Sequence, residues 1–181
     1  DRQYQYVLRR FEQNLQTSIN LALAKNITVY LAIPPINLLQ QPSYQHWNHF
    51  LEKKKESELQ HQLQLTPINW EQILSIDPTY ALATYHVGLQ LHAVGNKNGL
   101  TLLRRAVSQD PLSKRITPEI QKITQNICQT SSEIHCVDVN SAYWQKMNGE
   151  IPDQELFEDF CHPTFTVGTD IIVEQFSQAM Q

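Results

Sequence analysis

The sequence lacks any apolar run that approaches the roughly 18 residues a membrane-spanning helix needs, so no membrane span is predicted. It also lacks an excess of positive charge. The formal net charge is -4 and the pI is about 6.0, which argues against a nucleic-acid-binding surface. The basic run at 53–55 lies among acidic residues and indicates a solvated helix face. With 41% hydrophobic and 18% charged residues, the 181-residue chain is typical of one globular domain, with or without an insert.

Cysteine is scarce, and the count of three is odd. Cys128 and Cys136 do not have zinc-finger spacing, and no two cysteines form a close pair. The sequence therefore predicts neither a disulfide framework nor a metal site at these residues. The seven histidines are scattered, and a group on a polar helical stretch is not expected to bind metal: His46, His49 and His61. No cofactor is predicted.

The N-terminus shows no signal peptide, and the chain begins in the middle of a helical pattern at Asp1. The sequence is therefore expected to be part of a longer chain. It indicates no particular cellular compartment.

Two runs of β-branched and aromatic residues predict buried strands of a parallel sheet, at 27–33 and 134–139. Amphipathic helices are predicted before them, at 6–25 and 116–128, which indicates an α/β fold. Open α/β sheets place their sites at the carboxyl ends of strands, so Asn37 is a candidate substrate-binding residue. The alternative, which the two preceding prolines favour, is a turn-forming asparagine.

Three polar residues are expected to mark the ends of elements. Asn26 is predicted to end the first helix in a left-handed conformation, and Thr117 to cap the helix that begins at Pro118. Asp138 follows the second strand and has two interpretations: a second acid near the site, or an anchor for its loop through backbone N–H groups. The anchor is favoured.

The middle of the chain, residues 44–112, predicts an all-helical insert with helices at 47–64, 67–76, 81–94 and 99–108. Small residues, Gly88 and Ala106 among them, lie where a helix pair would cross. The Asp-Pro pairs that begin at residues 77 and 110 are 33 residues apart. This spacing resembles tetratricopeptide repeats, with one good repeat and one degenerate neighbour. The resemblance implies a possible protein-binding surface on the insert.

The most informative stretch lies near the C-terminus, where Asp159 precedes His162 by three residues and Pro163 follows. A carboxylate at this spacing can hold one imidazole nitrogen and leave the other free to accept a proton from a nucleophile. Gly168 then permits a turn before an amphipathic helix whose residues 172, 176 and 179 share one face. An unrelated surface aspartate beside a loop histidine is the alternative interpretation of the pair.

The whole string, D-x-x-H-P-x-x-x-x-G with a final helix, resembles the last conserved block of the SGNH (GDSL-type) hydrolases. The resemblance implies a parallel-sheet, flavodoxin-like α/β sandwich, of which 1–43 and 113–181 would be parts and 44–112 the insert. It implies a Ser-His-Asp triad with Asp159 as orienting acid and His162 as general base. The substrate would be a small-molecule or glycan acyl ester, hydrolysed or used for acyl transfer.

The family's G-D-S nucleophile motif and its G-x-N-D block are both missing from these 181 residues. The interpretation is therefore the C-terminal half of such a hydrolase, with the serine and the oxyanion hole supplied by a missing N-terminal portion, from the same protein or another chain. A second interpretation is a non-catalytic interaction module or structural subunit that uses the helical insert. The Asp-His spacing favours the first interpretation, and the missing serine favours the second.

Overall fold

The computed structural model describes residues 2–43 and 51–181, and about 57% of these residues are helical. The described residues form two compact units, Asp1–Asn37 with Ile116–Gln181 (unit 1) and Leu38–Arg115 (unit 2). Unit 1 contains the strands β1 (Tyr30–Ala32) and β2 (His135–Val137) and four helices: α1 (Arg2–Leu23), α6 (Pro118–Thr130), α7 (Val139–Lys146) and α8 (Val167–Ala179). Unit 2 contains the other four: α2 (Lys53–Leu63), α3 (Trp70–Ile76), α4 (Ala81–Ala93) and α5 (Asn98–Gln109).

The predicted flavodoxin-like sandwich is wrong. Among the described residues there are eight helices but only one sheet, and that sheet has two strands of three residues each. The runs at 27–33 and 134–139 have strand-like composition, but β-propensity reflects a fit to a half-buried pleated surface and does not specify how many strands assemble. Neither strand is a fully buried central one, since the three residues of β1 are half-buried and two of β2 are exposed.

The two strands pair in parallel despite about a hundred residues between them, as the sequence predicts for strands of one parallel sheet. Tyr30 pairs with His135, and Ala32 pairs with Val137. Side chains alternate between the two faces of a strand, so β1 takes part in two separate clusters. One cluster joins Val29 and Leu31 to α1 and α6, and the other joins Tyr30 and Ala32 to α7 and α8. The small sheet therefore has helices on both faces.

The predicted ends of two helices are confirmed. Asn26 has a φ of 56°, the left-handed conformation expected just after α1. Thr117 accepts a hydrogen bond from the Ile120 N–H, and Pro118 occupies the first helical position of α6. These ends follow from side-chain chemistry within a few residues, which explains why the sequence predicts them well.

Unit 2 is built around the hairpin of α4 and α5, close to the predicted bounds. The Thr84 hydroxyl donates to the Gln109 side chain at 2.7 Å, so the start of α4 lies beside the end of α5 and the two helices are antiparallel. At the other end, a Cβ added to Gly99 would lie 2.4 Å from the His92 nitrogen, so only glycine allows this approach. Gly88 faces Leu103 at the crossing.

The two Asp-Pro pairs of unit 2 make the same local turn. Asp77 accepts the Thr79 N–H at 2.9 Å, and Asp110 accepts the Leu112 N–H at 3.2 Å, each two residues ahead. A tetratricopeptide relationship stays a prediction, as does the division into hydrolase parts and an insert. The predicted helix at 47–64 lies partly outside the described residues, and its described part, α2, begins at Lys53. His46 and His49 lie outside the described residues.

Cys128 and Cys136 form a disulfide bond, contrary to the sequence expectation. Their Cα atoms are 5.7 Å apart. Cys128 lies in the last turns of α6 and Cys136 in β2, and the connection between these elements folds back on itself. The bond therefore joins a helix to the sheet strand beside it. Spacing alone could not predict this pairing, because it depends on how α6 packs against the sheet.

The C-terminal helix α8 packs on unit 1 as expected, through a set of apolar residues: Val167, Ile171, Ile172, Phe176 and Ala179. Gly168 lies inside its first turn. A Cβ there would lie 2.5 Å from the Leu156 carbonyl oxygen, so this glycine permits a close approach and not the expected turn. Within 2–43 and 51–181, none of the helices combines the length and apolar character that a membrane crossing requires.

Candidate functional site

The Asp159–His162 loop is held at its base by two backbone hydrogen bonds. The Thr164 N–H donates to the Leu156 carbonyl at 2.9 Å, and the Glu158 N–H donates to the His162 carbonyl at 3.0 Å. Phe157 and Pro163 form an antiparallel bridge between them. Leu156 and Phe157 are buried in the core of unit 1, which fixes the base of the loop while its tip is exposed.

Asp159 organises the tip of this loop. Its Oδ1 accepts the backbone N–H groups of Cys161 and His162, each at 2.9 Å, which is the turn geometry aspartate favours. Its Oδ2 lies 2.8 Å from His162 Nδ1. This distance falls within the range of about 2.6–3.2 Å that such a hydrogen bond requires. One carboxylate thus sets both the backbone of the loop and the orientation of the imidazole.

The hydrogen bonds perturb both titratable groups. The backbone N–H groups of His162 and Cys161 favour the charged carboxylate and, together with the imidazole, hold the pKa of Asp159 well below its usual range. The bond to Asp159, and the negative charge of that carboxylate, raise the pKa of His162 above its ordinary value. Asp159 is therefore ionised at neutral pH, and a neutral imidazole carries its proton on Nδ1, toward the carboxylate.

The imidazole of His162 faces solvent, with 72% of its side chain exposed. In the described part of the chain its Nε2 has no hydrogen-bond partner, and no serine hydroxyl contacts the ring. An Nδ1–H held by a carboxylate leaves the Nε2 lone pair available, which is the arrangement a general base requires. The catalytic roles of Asp159 and His162 stay predictions.

Asn37 is 6% exposed, and its side-chain amide donates to the Asp159 carbonyl oxygen at 2.6 Å. It thereby fixes the Asp159–His162 loop beside the chain that leaves β1. This contact between residues far apart in sequence brings the predicted site residues together. A role for Asn37 in binding substrate stays a prediction.

Asp138 is the anchor that the sequence favoured: it accepts the Ser141 N–H at 2.9 Å and the Ser141 hydroxyl at 2.7 Å.

Cys161 is the residue of the site that sequence reasoning did not single out. Its exposed thiol sulfur lies 3.9 Å from His162 Nδ1. Partial burial and the charge of Asp159 raise the pKa of the thiol, and Nδ1 is already bonded to Asp159, so neither neighbour in this loop activates the cysteine as a nucleophile. The signal that could have found it is its position inside the Asp-x-x-His string, which puts it on the same turn as both partners.

The loop also has the donor atoms of a metal site. Ligand atoms of Asp159, Cys161 and His162 all lie within 4.8 Å of one another.

Comparisons with known proteins add nothing to the assignment: no family model, no curated protein and no solved structure matches the chain.

Proposed function

We propose that this chain contributes the acid and base of a Ser-His-Asp triad to an ester hydrolase or acyltransferase. Asp159 holds Nδ1 of His162, and Nε2 takes the proton of a serine that lies outside these 181 residues. The single observation that carries the proposal is the 2.8 Å contact between Asp159 Oδ2 and His162 Nδ1 on a loop whose imidazole is exposed. The bonds from backbone N–H groups to Asp159 shape the loop, whereas the exposed contact with the imidazole contributes little to folding, which favours a chemical role for His162.

In the reaction, proton transfer to His162 turns the serine into a nucleophile that attacks the acyl carbon. The imidazolium then donates that proton to the leaving alcohol, and the negative charge of Asp159 stabilises it meanwhile. Attack by water releases the acid, and attack by a second alcohol transfers the acyl group. The substrate class is an acyl ester of a small molecule or glycan, and the serine and the oxyanion hole are supplied from outside these residues, by the same protein or by another chain.

The test compares variants of the complete protein, or of this chain with the portion that supplies the serine, on a p-nitrophenyl acyl ester. His162→Ala is expected to lower kcat/KM by about 10³-fold or more, and Asp159→Asn by a similar factor through the wrong tautomer. His61→Ala, an exposed histidine of α2, is the matched control. Circular dichroism should be unchanged in all three variants. Wild-type activity in His162→Ala would refute the assignment.

The second candidate is a non-catalytic interaction module that uses the helices of unit 2. It is favoured by one observation, that no serine hydroxyl contacts His162 in the described ranges. The two candidates predict different results for the complete protein. A catalytic chain loses ester turnover in His162→Ala, whereas an interaction module shows no His162-dependent turnover and loses partner binding through substitutions on unit 2.

A further inference from the structure

Three chemically different ligand atoms meet at the tip of the Asp159–His162 loop: a carboxylate oxygen, a thiol sulfur and an imidazole nitrogen. Nδ1 lies 2.8 Å from Oδ2 and 3.9 Å from the sulfur, and the set spans less than 4.8 Å. Metal–ligand bonds of about 2.0–2.3 Å put neighbouring tetrahedral ligand atoms roughly 3.3–3.7 Å apart. Shifts of about 1 Å would therefore place the three ligand atoms around one ion. We propose that Asp159, Cys161 and His162 bind Zn²⁺.

The donor set selects the metal. Thiolate and imidazole are ligands of borderline-soft cations, whereas Mg²⁺ and Ca²⁺ require sites built from oxygen atoms. Carboxylate, thiolate and imidazole together are found in four-coordinate zinc sites. Three protein ligands leave the fourth position to solvent, and all three side chains are exposed, so that position is accessible.

The loop is organised before any ion binds. The backbone bonds at its base fix residues 156–164, and Asp159 Oδ1 fixes the turn while Oδ2 remains on the side of Cys161 and His162. Little chain ordering is then needed on binding, which favours affinity. The thiol releases its proton to solvent when its sulfur joins a cation, because a metal ion strongly favours the thiolate.

Ligation through Nδ1 has a consequence for the imidazole. Nδ1 cannot hold both a proton and the metal, so the proton of the neutral ring moves to Nε2. Nε2 then donates and can no longer accept a proton. Zinc would therefore inhibit the base assigned to His162. This consequence rests on the proposed function, whereas binding of the ion does not.

The experiment measures binding to the 181-residue chain with Co²⁺ and Zn²⁺. The chain is kept free of reductant, so that the Cys128–Cys136 bond stays closed, and thiol titration checks that one thiol per chain reacts. We expect one Co²⁺ per chain, a thiolate-to-cobalt charge-transfer band, and loss of the band when Zn²⁺ is added. Nuclear magnetic resonance should show the ring signals of His162 shift on titration with Zn²⁺.

Cys161→Ser and His162→Ala should each weaken Zn²⁺ binding about 100-fold or more, since even partners of metal ligands matter by 10–100-fold. The His61→Ala control should bind as the wild type does. Absence of the charge-transfer band, or equal affinity in Cys161→Ser, would overturn the zinc site and leave the triad proposal intact. If zinc binds but His162→Ala retains ester turnover in the complete protein, the triad proposal fails and the zinc site stands.

Discussion

The two compact units of this protein use their residues differently. In unit 2, Leu59, Ile73 and Leu103 are fully buried, and the side chains of Asp77 and Asp110 close turns. In unit 1, the polar arrangement of Asp159 and His162 lies at the surface. Packing accounts for the buried residues of unit 2, and hydrogen bonds to Asp159 account for the turn in the loop of unit 1. The exposed ion pair itself adds little stability, and it is this pairing that the proposed chemistry would use.

The two units also differ in how they hold their helices. Unit 2 brings α4 and α5 together through glycine, and unit 1 joins α6 to β2 through a disulfide. Close packing responds to added volume, and a disulfide responds to redox conditions. Each unit should consequently be destabilised by a different kind of change. The predictions below test whether these two effects are separate.

The largest expected effect is that of Gly99→Ala in unit 2. The new Cβ would lie 2.4 Å from the His92 nitrogen and 2.8 Å from the Gly88 oxygen, and backbone atoms cannot move aside cheaply. We expect a loss of about 3 kcal/mol in the free energy of unfolding, measured by urea denaturation. Gly88→Ala is the matched control. Its nearest neighbours are at 3.1 Å and it gains helix propensity, so it should cost clearly less. Equal costs would contradict the close approach at Gly99.

The next effect is that of opening the Cys128–Cys136 bond by Cys128→Ser with Cys136→Ser. The cysteines are eight residues apart, and a closed loop of that size is expected to contribute about 2.5 kcal/mol to stability. Hydrogen exchange should show the loss in unit 1. Unit 2 contains no cysteine, and its protection should be unchanged. A loss spread equally over both units would contradict their independence.

A smaller effect is expected from Asp138→Ala at the start of α7. The substitution removes the bonds to the Ser141 N–H and hydroxyl, and loss of such a cap costs about 1 kcal/mol. Thermal denaturation should detect it, whereas Asp153→Ala is not expected to affect α7. Ester turnover should be retained, because Asp138 caps α7 and the proposed function gives it no catalytic role. A severe loss of turnover in a folded variant would support the other interpretation.

The smallest effect distinguishes two histidines, one in each unit. Asp159 raises the pKa of His162, whereas burial lowers the pKa of His86, whose ring stacks on Trp70 at 4.1 Å. Nuclear magnetic resonance titration should place the two pKa values on opposite sides of the ordinary histidine value of about 6.5. Asp159→Asn should lower the pKa of His162 toward that value, and Trp70→Ala should raise that of His86.

The two histidines also affect stability in opposite directions. A raised pKa means that the contribution of His162 is present below about pH 6.5 and is lost as the pH rises through its folded-state value. A lowered pKa means that the contribution of His86 is present above about pH 6.5 and is lost as the pH falls. The difference in the free energy of unfolding between wild type and variant should therefore change with pH between 5 and 8. We expect it to change in opposite directions for Asp159→Asn and Trp70→Ala. Changes in the same direction would contradict the contrast between the two sites.

Much of the local structure could be predicted from the sequence. The ends of α1 and α6, the α4–α5 hairpin and the Asp159–His162 contact each depend on residues near one another in the chain. The parallel pairing of β1 and β2 is a long-range feature that was also predicted, because helix–strand order permits few alternatives. The prediction of a flavodoxin-like sheet was wrong, because it was inferred from the resemblance and not from strands present in the chain.

What the sequence by itself determined is therefore chemical and local: an aspartate three residues from a histidine, capping residues at helix ends, and helical periodicity. Backbone sterics and short-range hydrogen bonds are the same wherever such a segment lies. The tertiary structure alone decided the size of the sheet, the Cys128–Cys136 bond, and the contact from Asn37 to the site loop. Each of these brings together groups from separate elements, and their approach depends on packing of the whole unit.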